Sequence, residues 1–204
     1  EQAKQTLDKI LKISPNHKKS LTLYGVILYA QGDIKGAQKY LHGIVDPEKN
    51  SKELTQLYVM TQLKLDNASE VLTMLEDTIT TEESDEILTL YFLAALNQQQ
   101  TEKAKFALKR IEKLFPNSEK PILLSSHYYS KIDPAEHEKA LDILQQGLKD
   151  NPSSSHLQTA YLKKLIVLKK DEEADQFVQQ LQKQENSDIE TQLLVGKYQL
   201  YQKQ

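Results

Sequence analysis

The stretch from Asp85 to Pro116 constrains the possible fold more than any other part of the sequence. Its first half has apolar residues at the i, i+3, i+4, i+7 spacing of one helix face, namely Leu88, Tyr91, Phe92 and Ala95. A polar break at 97–100 separates them from a second apolar stripe, formed by Ala104, Leu108 and Ile111. Pro116 ends that second helix, because proline lacks an N–H and clashes with the preceding turn. The stretch therefore predicts two helices that cannot bury their apolar stripes without neighbouring copies.

Copies of this unit recur along the chain. Helix-ending residues return at close to whole multiples of about 34 residues, namely Pro15, Pro116 and Pro152, with Asn186 in the next such place. We predict a single array over residues 1–204, with full units at 18–49, 50–84, 85–118, 119–154 and 155–187 and half units at 1–16 and 188–204. Because the connections are short, about twelve helices are expected to pack antiparallel in an all-α fold. The chain starts at Glu1 within a repeat and without methionine, so we expect it to be a fragment of a longer protein.

The helical stripes also predict the core of each unit. In unit 18–49 the core positions are Leu21, Tyr24, Gly25, Leu28, Ala37, Leu41 and Ile44. In unit 50–84, whose register is fixed only to within one residue, they are Leu54, Leu57, Tyr58, Thr61, Ala68, Val71, Leu75 and Ile79. In the two later units they are Ile122, Leu124, Tyr129, Ala140, Leu144, Leu148, Tyr161, Leu162, Leu165, Ala174, Val178 and Leu181. Four tyrosines share one repeat phase and are expected to be buried, namely Tyr24, Tyr58, Tyr91 and Tyr161.

Composition argues against several classes of function. The net charge is −3, and lysine and glutamate are spread throughout, so we expect no basic face for nucleic acid. Arg110 is the only arginine, which argues against widespread bidentate recognition of phosphate. The absence of cysteine excludes disulfides and cysteine metal sites but does not choose a compartment. No apolar run reaches the ~18–20 residues of a membrane helix, so no direct membrane insertion is expected.

The sequence predicts a protein that is not an enzyme and has no cofactor or metal. Phosphate-binding glycine loops and the G-x-S-x-G nucleophile motif are absent from the sequence. The five histidines show neither the H-x-x-x-H nor the H-E-x-x-H spacing of zinc hydrolases. Acidic pairs such as Glu82-Glu83 and Glu172-Glu173 fall at turns or helix starts, where they complement the helix dipole.

The spacing and residue types resemble the tetratricopeptide repeat, and the resemblance covers nearly the whole chain. The positions that match in order are Leu21, Tyr24, Gly25, Leu28, Ala37, Leu41 and Ile44, and again Leu88, Tyr91, Ala95, Ala104, Leu108, Ile111 and Pro116. The resemblance implies a right-handed superhelical α-solenoid whose first helices line a concave groove for protein partners. Phe92 and Leu162 stand where the family usually has glycine, which predicts locally wider helix packing.

A narrower resemblance concerns the residue pattern of the first repeats. It is similar to that of bacterial tetratricopeptide lipoproteins associated with exopolysaccharide and exosortase (PEP-CTERM) systems. This similarity implies a role in exopolysaccharide or envelope assembly and a periplasmic or envelope location, with the cytoplasm as the alternative.

Repeat phase predicts which first-helix residues line the groove. The apolar candidates are Leu23, Val26, Tyr29, Leu57, Met60, Leu90, Leu93 and Leu96, and the later polar to basic candidates are His127 and Lys163, beside Leu123, Lys131 and Thr159. These residues either bind a peptide or helix of a partner, or contact the neighbouring first helix of the array. The family's carboxylate clamp for acidic C-terminal peptides is absent, because the matching positions hold Thr22, Val26, Glu86 and Leu90.

Besides the enzyme hypothesis, which the missing motifs disfavour, two hypotheses for the function remain. The first is a non-catalytic scaffold that binds a peptide or partner segment in the groove. The alternative is a structural element that assembles through its open ends, because a helix without its pair at each end would permit a homodimer.

Overall fold

The computed structural model describes residues 2–183 and 188–202. Within them lie twelve α-helices, one short 3₁₀ turn and no strand, as the periodicity predicts. The helices fall into two compact units, Glu1–Leu114 and Phe115–Gln204, hereafter unit 1 and unit 2. Asn186 and the predicted unit boundary at 187 lie outside the described residues. The prediction of a single array over 1–204 stays a prediction.

Unit 1 contains three helical hairpins preceded by a single helix. Its helices are α1 (Gln2–Ile13), α2 (Lys18–Ala30), α3 (Ile34–Leu41), α4 (Lys52–Lys64), α5 (Ala68–Leu75), α6 (Asp85–Asn97) and α7 (Thr101–Leu114). Each hairpin consists of a first and a second helix, and the first helices α2, α4 and α6 also pack against one another in that order.

Unit 2 contains two hairpins followed by a single helix. Its helices are α8 (Lys120–Ile132), α9 (His137–Asp150), α10 (Ser155–Val167), α11 (Asp171–Gln182) and α12 (Ile189–Tyr201). None of the helices in the described residues combines the length and the apolar character needed to cross a bilayer.

Side-chain caps and left-handed residues set where the helices begin and end. Several helices begin at a residue whose side chain accepts a backbone N–H of the first turn, namely Asp33, Ser51, Ser84, Ser154 and Asp188. Four hairpins turn through a residue with positive φ, namely Gly32, Asp66, Gln99 and Lys169. The α8–α9 hairpin instead contains the 3₁₀ turn Pro134–Glu136, capped by Asp133, which explains why its connection is longer than the others.

Most of the predicted core is buried. Tyr24, Tyr58, Tyr91 and Tyr161 are all buried, so the tyrosine phase is confirmed. The second-helix stripes are confirmed at most positions, since the buried residues include Ala37, Leu41, Ala68, Val71, Leu75, Ala104, Leu108, Ile111, Ala140, Leu144, Ala174, Val178 and Leu181. The predicted core residues Leu21 and Leu148 are only half-buried.

The core face predicted for α4 is confirmed at Tyr58 and Thr61 but is wrong at Leu54 and Leu57. The buried residues of this helix include Thr55, Tyr58, Val59, Thr61 and Gln62. The predicted core residues Leu54 and Leu57 are only half-buried. The cap at Ser51 starts the helix at Lys52 and so sets its phase, and two core positions are filled by polar side chains that an apolar pattern cannot detect.

Two other predicted core segments also differ. The helix α3 ends at Leu41, because Gly43 has φ +79°, so Ile44 lies beyond the helix and is only half-buried. In α8 the buried aromatic is Tyr128, whereas the predicted Tyr129 and Ile122 are half-buried.

A glutamine side chain is buried and hydrogen-bonded in the core of each unit. In unit 1, the Gln62 Oε1 atom accepts hydrogen bonds from Gln38 Nε2 at 3.1 Å and from Asn67 Nδ2 at 3.0 Å. In unit 2, Gln158 donates to the Pro152 carbonyl at 2.9 Å and accepts from the Thr191 hydroxyl at 2.7 Å. Buried amides of this kind are tolerated because they have hydrogen-bond partners.

Candidate partner-binding faces

The predicted apolar groove residues of unit 1 lie on α2, α4 and α6, and we call this surface the unit 1 face. Leu23, Val26 and Leu93 are exposed at 49%, 40% and 36% of their surface. The other predicted residues are half-buried, namely Tyr29, Leu57, Met60, Leu90 and Leu96. These first helices pack in succession, and the repeat phase assigns the exposed and half-buried side chains to the corresponding side of each.

Three hydroxyl groups on the first helices of unit 1 are buried without a hydrogen-bond partner among the described residues. They are Tyr29 Oη, Thr55 Oγ1 and Thr89 Oγ1. The Tyr29 ring also lies under the ammonium group of Lys64, with Nζ 4.7 Å from the ring centroid. A cation over a tyrosine ring is a favourable contact, so Lys64 holds the ring in place at this end of the face.

Three of the predicted groove residues of unit 2 meet at a cavity of about 260 Å³ between α8 and α10, which we call the unit 2 cavity. Leu123, His127 and Lys163 all line it, so the structure brings these predicted residues together. The predicted Lys131 and Thr159 are not among its lining residues. The side chains that the sequence analysis did not select are Ser126, Ser130, Leu144, Ala160, Lys164 and Val167.

Positive charge dominates the unit 2 cavity. The Lys164 ammonium donates a hydrogen bond to Ser130 Oγ, and burial lowers the pKa of this lysine. The pKa of the His127 imidazole is lowered as well, first by burial and then by the charges of Lys131 and Lys164. His127 is nevertheless an exposed residue, so its ring is only partly desolvated, and this together with the two ammonium groups disfavours the charged form of the imidazole.

The sequence analysis did not select Lys164 and Val167 as groove residues, because it assigned only one residue per helical turn to the groove. A different signal in the sequence points to them. The helices α8 and α10 together contain four lysines and two histidines but no aspartate or glutamate. Two neighbouring first helices without any carboxylate predict a positive surface, wherever the individual side chains fall.

A glutamate links successive first helices at their N-terminal ends in each unit. In unit 1, Glu82 accepts hydrogen bonds from the N–H groups of Glu83 and Ser84 at 2.8 and 2.7 Å and pairs with Lys52 at 3.0 Å. In unit 2, Glu119 accepts from the Ser154 hydroxyl, and its other oxygen lies 2.6 Å from His156 Nδ1. These contacts fix the start of α6 relative to α4 and of α10 relative to α8, so they position both faces.

Burial raises the pKa of Glu82, but the hydrogen bonds that it accepts outweigh burial. The donors are the Ser84 N–H, the Lys52 ammonium and the Glu83 N–H, and the pKa of Glu82 lies below its ordinary value. These hydrogen bonds therefore favour the ionised form of the Glu82 carboxylate. Within residues 2–183 and 188–202, no group of three or more histidine, aspartate or glutamate side chains is placed to hold a metal ion.

Comparison with known proteins identifies the class of fold, an α-solenoid of helical hairpins. A tetratricopeptide-repeat family model matches residues 93–118, which run from α6 through α7. A tetratricopeptide repeat protein from Parabacteroides merdae ATCC 43184 has a TM-score of 0.73 at 15% identity, over 98% of this chain and 78% of its own. Sequence comparison with curated proteins gives no significant match.

Other solved structures give the same result. The type IV pilus biogenesis factor PilW has a TM-score of 0.64 at 15% identity, over 95% of this chain and 90% of its own. A thermophilic tetratricopeptide repeat protein of Thermus thermophilus has a TM-score of 0.57 at 18% identity, over 90% of this chain and 99% of its own. These similarities show that the chain has the fold of tetratricopeptide repeat proteins, an α-solenoid of helical hairpins.

Proposed function

We propose that the protein binds a segment of a partner protein along the first helices of its hairpins, without catalysing a reaction. The observation that supports this proposal is the exposure of Leu23, Val26 and Leu93 on the unit 1 face. The helices that carry them already bury a separate stripe in the core, so the exposed side chains are not needed for folding of the hairpins. Exposed apolar side chains gathered on one surface are typical of sites that bind a partner.

The apolar surface favours a segment that presents large apolar side chains, as an amphipathic helix or an extended peptide does. Burying a single such side chain contributes about 1.5–3 kcal/mol. Three exposed side chains beside half-buried neighbours can therefore support specific binding without any new charge interaction. The alternative, that these residues serve only contacts between first helices, accounts for Leu57 and Met60 better than for Leu23 and Leu93.

A matched pair of variants tests the proposal. Leu90→Glu combined with Leu93→Glu places two carboxylates on the unit 1 face. Phe106→Glu places a carboxylate at an equally exposed apolar position, 40% exposed, on the second helix of the same hairpin. An array of random 15-residue peptides is screened with the wild type and both variants, and circular dichroism measures their helix content. We expect the double variant to lose peptides that the Phe106 variant retains, with nearly unchanged helix content. Identical peptide sets for all three proteins would contradict the proposal.

The exposed side of α12 favours a second candidate function, assembly through one end of the fold. Ile189, Leu193 and Leu200 lie on one side of this helix and are all exposed. We expect multi-angle light scattering to detect a dimer at high protein concentration, and Leu193→Glu with Leu200→Glu to abolish it. A strict monomer at every concentration would refute this candidate.

A role in exopolysaccharide or envelope assembly is the finer part of the proposal. One support is the residue pattern of the first repeats. The other is the similarity of the fold to that of PilW, a type IV pilus biogenesis factor. Fractionation of the native bacterium tests it. A protein found only in the cytoplasmic fraction would contradict an envelope role.

A further inference from the structure

The unit 2 cavity combines one half-buried and one exposed lysine with exposed apolar surface. Lys163 is exposed at its rim, and Lys164 is half-buried beside Ser130. Val167, one helical turn beyond Lys163 on α10, is 63% exposed. The cavity of about 260 Å³ has room for one or two amino-acid side chains of a ligand.

Within the part of the chain that the structure describes, Lys164 has no negatively charged partner. Among the described residues it forms no ion pair, and its hydrogen bond goes to the neutral hydroxyl of Ser130. Elsewhere in unit 2, a half-buried lysine is paired, since Lys170 lies 2.9 Å from Glu138 and 3.4 Å from Glu173. A partly buried ammonium group without a counter-charge is unfavourable, and an added carboxylate would relieve the cost.

The acidic residues of unit 2 hairpins lie mainly on the second helices. Those of α9 and α11 are Glu138, Asp142, Asp150, Asp171, Glu172, Glu173 and Asp175. The first helices α8 and α10 have none. The net negative chain therefore presents a local positive surface at the unit 2 cavity, which attracts an anionic ligand and repels a cationic one.

We propose that the unit 2 cavity recognises a carboxylate of the bound protein segment, with an apolar side chain of the same segment against Leu123 and Val167. Lys164, held by Ser130, and Lys163 at the rim are the groups that bind the carboxylate. The carboxylate belongs either to an aspartate or glutamate side chain or to the C-terminus of the segment. This inference rests on the proposed function, because it treats a first-helix surface as the binding surface, but it concerns unit 2 and a different chemistry.

The test uses three heptapeptides and the full chain. The first alternates leucine and glutamate and is acetylated and amidated at its ends. The second has glutamine in place of each glutamate. The third is the glutamine peptide with a free C-terminal carboxylate. Binding is followed by NMR titration of the ¹⁵N-labelled protein, through the amides of residues 123–130 and 160–167.

We expect saturable shifts of these amides with the glutamate peptide, with an affinity at least about tenfold above that for the blocked glutamine peptide. Lys164→Gln is expected to weaken the glutamate peptide by about tenfold and Lys163→Gln by less, since Lys163 is exposed. Lys149→Gln is the matched control, because it removes the same charge from an exposed position on α9 outside the cavity. Binding of the free-carboxylate peptide, but not of its blocked form, would assign the site to a terminal carboxylate.

Equal affinity for the glutamate peptide and the blocked and free glutamine peptides overturns the proposal. The proposal is also overturned if the Lys164→Gln and Lys163→Gln variants both bind the glutamate peptide with the same affinity as the Lys149→Gln control. The outcome is separable from that of the proposed function. The substitutions at Leu90 and Leu93 lie in unit 1, so acidic peptides can fail at the unit 2 cavity while the unit 1 face still binds its segment, and the reverse.

Discussion

The first helices of the two units share one core pattern but present opposite surfaces. In unit 1, the exposed side of α2 and α6 is apolar, with Leu23, Val26 and Leu93. In unit 2, the corresponding side of α8 and α10 has His127, Lys163 and Lys164 around a cavity. The core tyrosines Tyr91 and Tyr161 are buried in both units alike. The comparison shows that a first helix packs into the core with one side and presents a different side to solvent. The residues of the exposed side can therefore change while those of the core side stay the same.

The largest expected effect tests whether the two cores are equivalent. Ala104 in unit 1 and Ala174 in unit 2 occupy the same position of a second helix, and both are fully buried. Ala104→Arg and Ala174→Arg each bury a charge without a partner, and each is expected to cost about 3–5 kcal/mol. Thermal melting followed by circular dichroism measures the loss. An unchanged melting curve in either variant would refute the helix pairing in that unit.

The next effect concerns how closely paired helices approach. A Cβ atom at Gly25 would lie 2.6 Å from Cγ and Cδ2 of Leu41, a fully buried side chain. Gly25→Ala is therefore expected to destabilise the protein by about 1–3 kcal/mol through overpacking.

Gly196→Ala serves as the control for Gly25→Ala, because among the described residues the added Cβ would meet no atom within 4 Å apart from its chain neighbours and the nearby backbone of its own helix. The greater helix propensity of alanine is expected to make this variant more stable, by up to ~1 kcal/mol. Urea denaturation measures both changes. Stabilisation by Gly25→Ala would show that α2 and α3 lie further apart than described.

A third prediction concerns the glutamate that positions the unit 1 face. Glu82→Gln removes the ion pair with Lys52 and weakens the hydrogen bonds from Glu83 and Ser84, so we expect a loss of about 1–3 kcal/mol at neutral pH. The pKa of Glu82 is lowered in the folded protein, so its contribution is present above the unfolded pKa and is lost as the pH falls through the folded pKa.

Urea denaturation across the acid range checks the pH dependence of the Glu82 contribution. The stability difference between wild type and Glu82→Gln should shrink as the pH falls below about 4, near the ordinary pKa of glutamate. A difference of constant size from neutral to acid pH would mean that the charge of Glu82 has no role.

The smallest expected effect concerns hydroxyl groups on the first helices of unit 1. Thr89 Oγ1 is buried without a partner among the described residues, so Thr89→Val should be neutral or stabilising by up to ~1 kcal/mol. Thr61 Oγ1 donates to the Leu57 carbonyl at 2.7 Å, so Thr61→Val should instead cost about 0.5–1.5 kcal/mol. Denaturant midpoints give both values, and destabilisation by Thr89→Val equal to that by Thr61→Val would contradict the distinction.

The sequence predicts the helices and most of the core, because the apolar stripes and the tyrosine phase are strong periodic signals. It fails in part at α4, where Thr55 and Gln62 occupy core positions and the apolar Leu54 and Leu57 do not. It also fails after Leu41, because the left-handed conformation of Gly43 ends α3 before Ile44. Periodicity locates an apolar stripe but cannot recognise a polar side chain that belongs to the core.

The candidate faces could be predicted only in part. Repeat phase placed His127 and Lys163 together, and both line the unit 2 cavity. Lys164 was not predicted, because whether a long side chain turns toward a cavity depends on its local contacts, here with Ser130. The functional role of these residues stays a prediction, as does that of the unit 1 face.

The buried amides of Gln62 and Gln158 have a consequence for how such a chain assembles correctly. Hairpins with similar apolar stripes can dock on the wrong neighbour during folding, since one apolar surface fits another. Each glutamine is hydrogen-bonded to particular polar groups, including Gln38 and Asn67 in one unit and Pro152 and Thr191 in the other. A hairpin docked on the wrong neighbour would lose the hydrogen bond from Gln38 to Gln62 or from Thr191 to Gln158, at a cost of about 1 kcal/mol. The polar residues that make the core harder to recognise in the sequence thus favour the correct packing order of the repeats over incorrect orders.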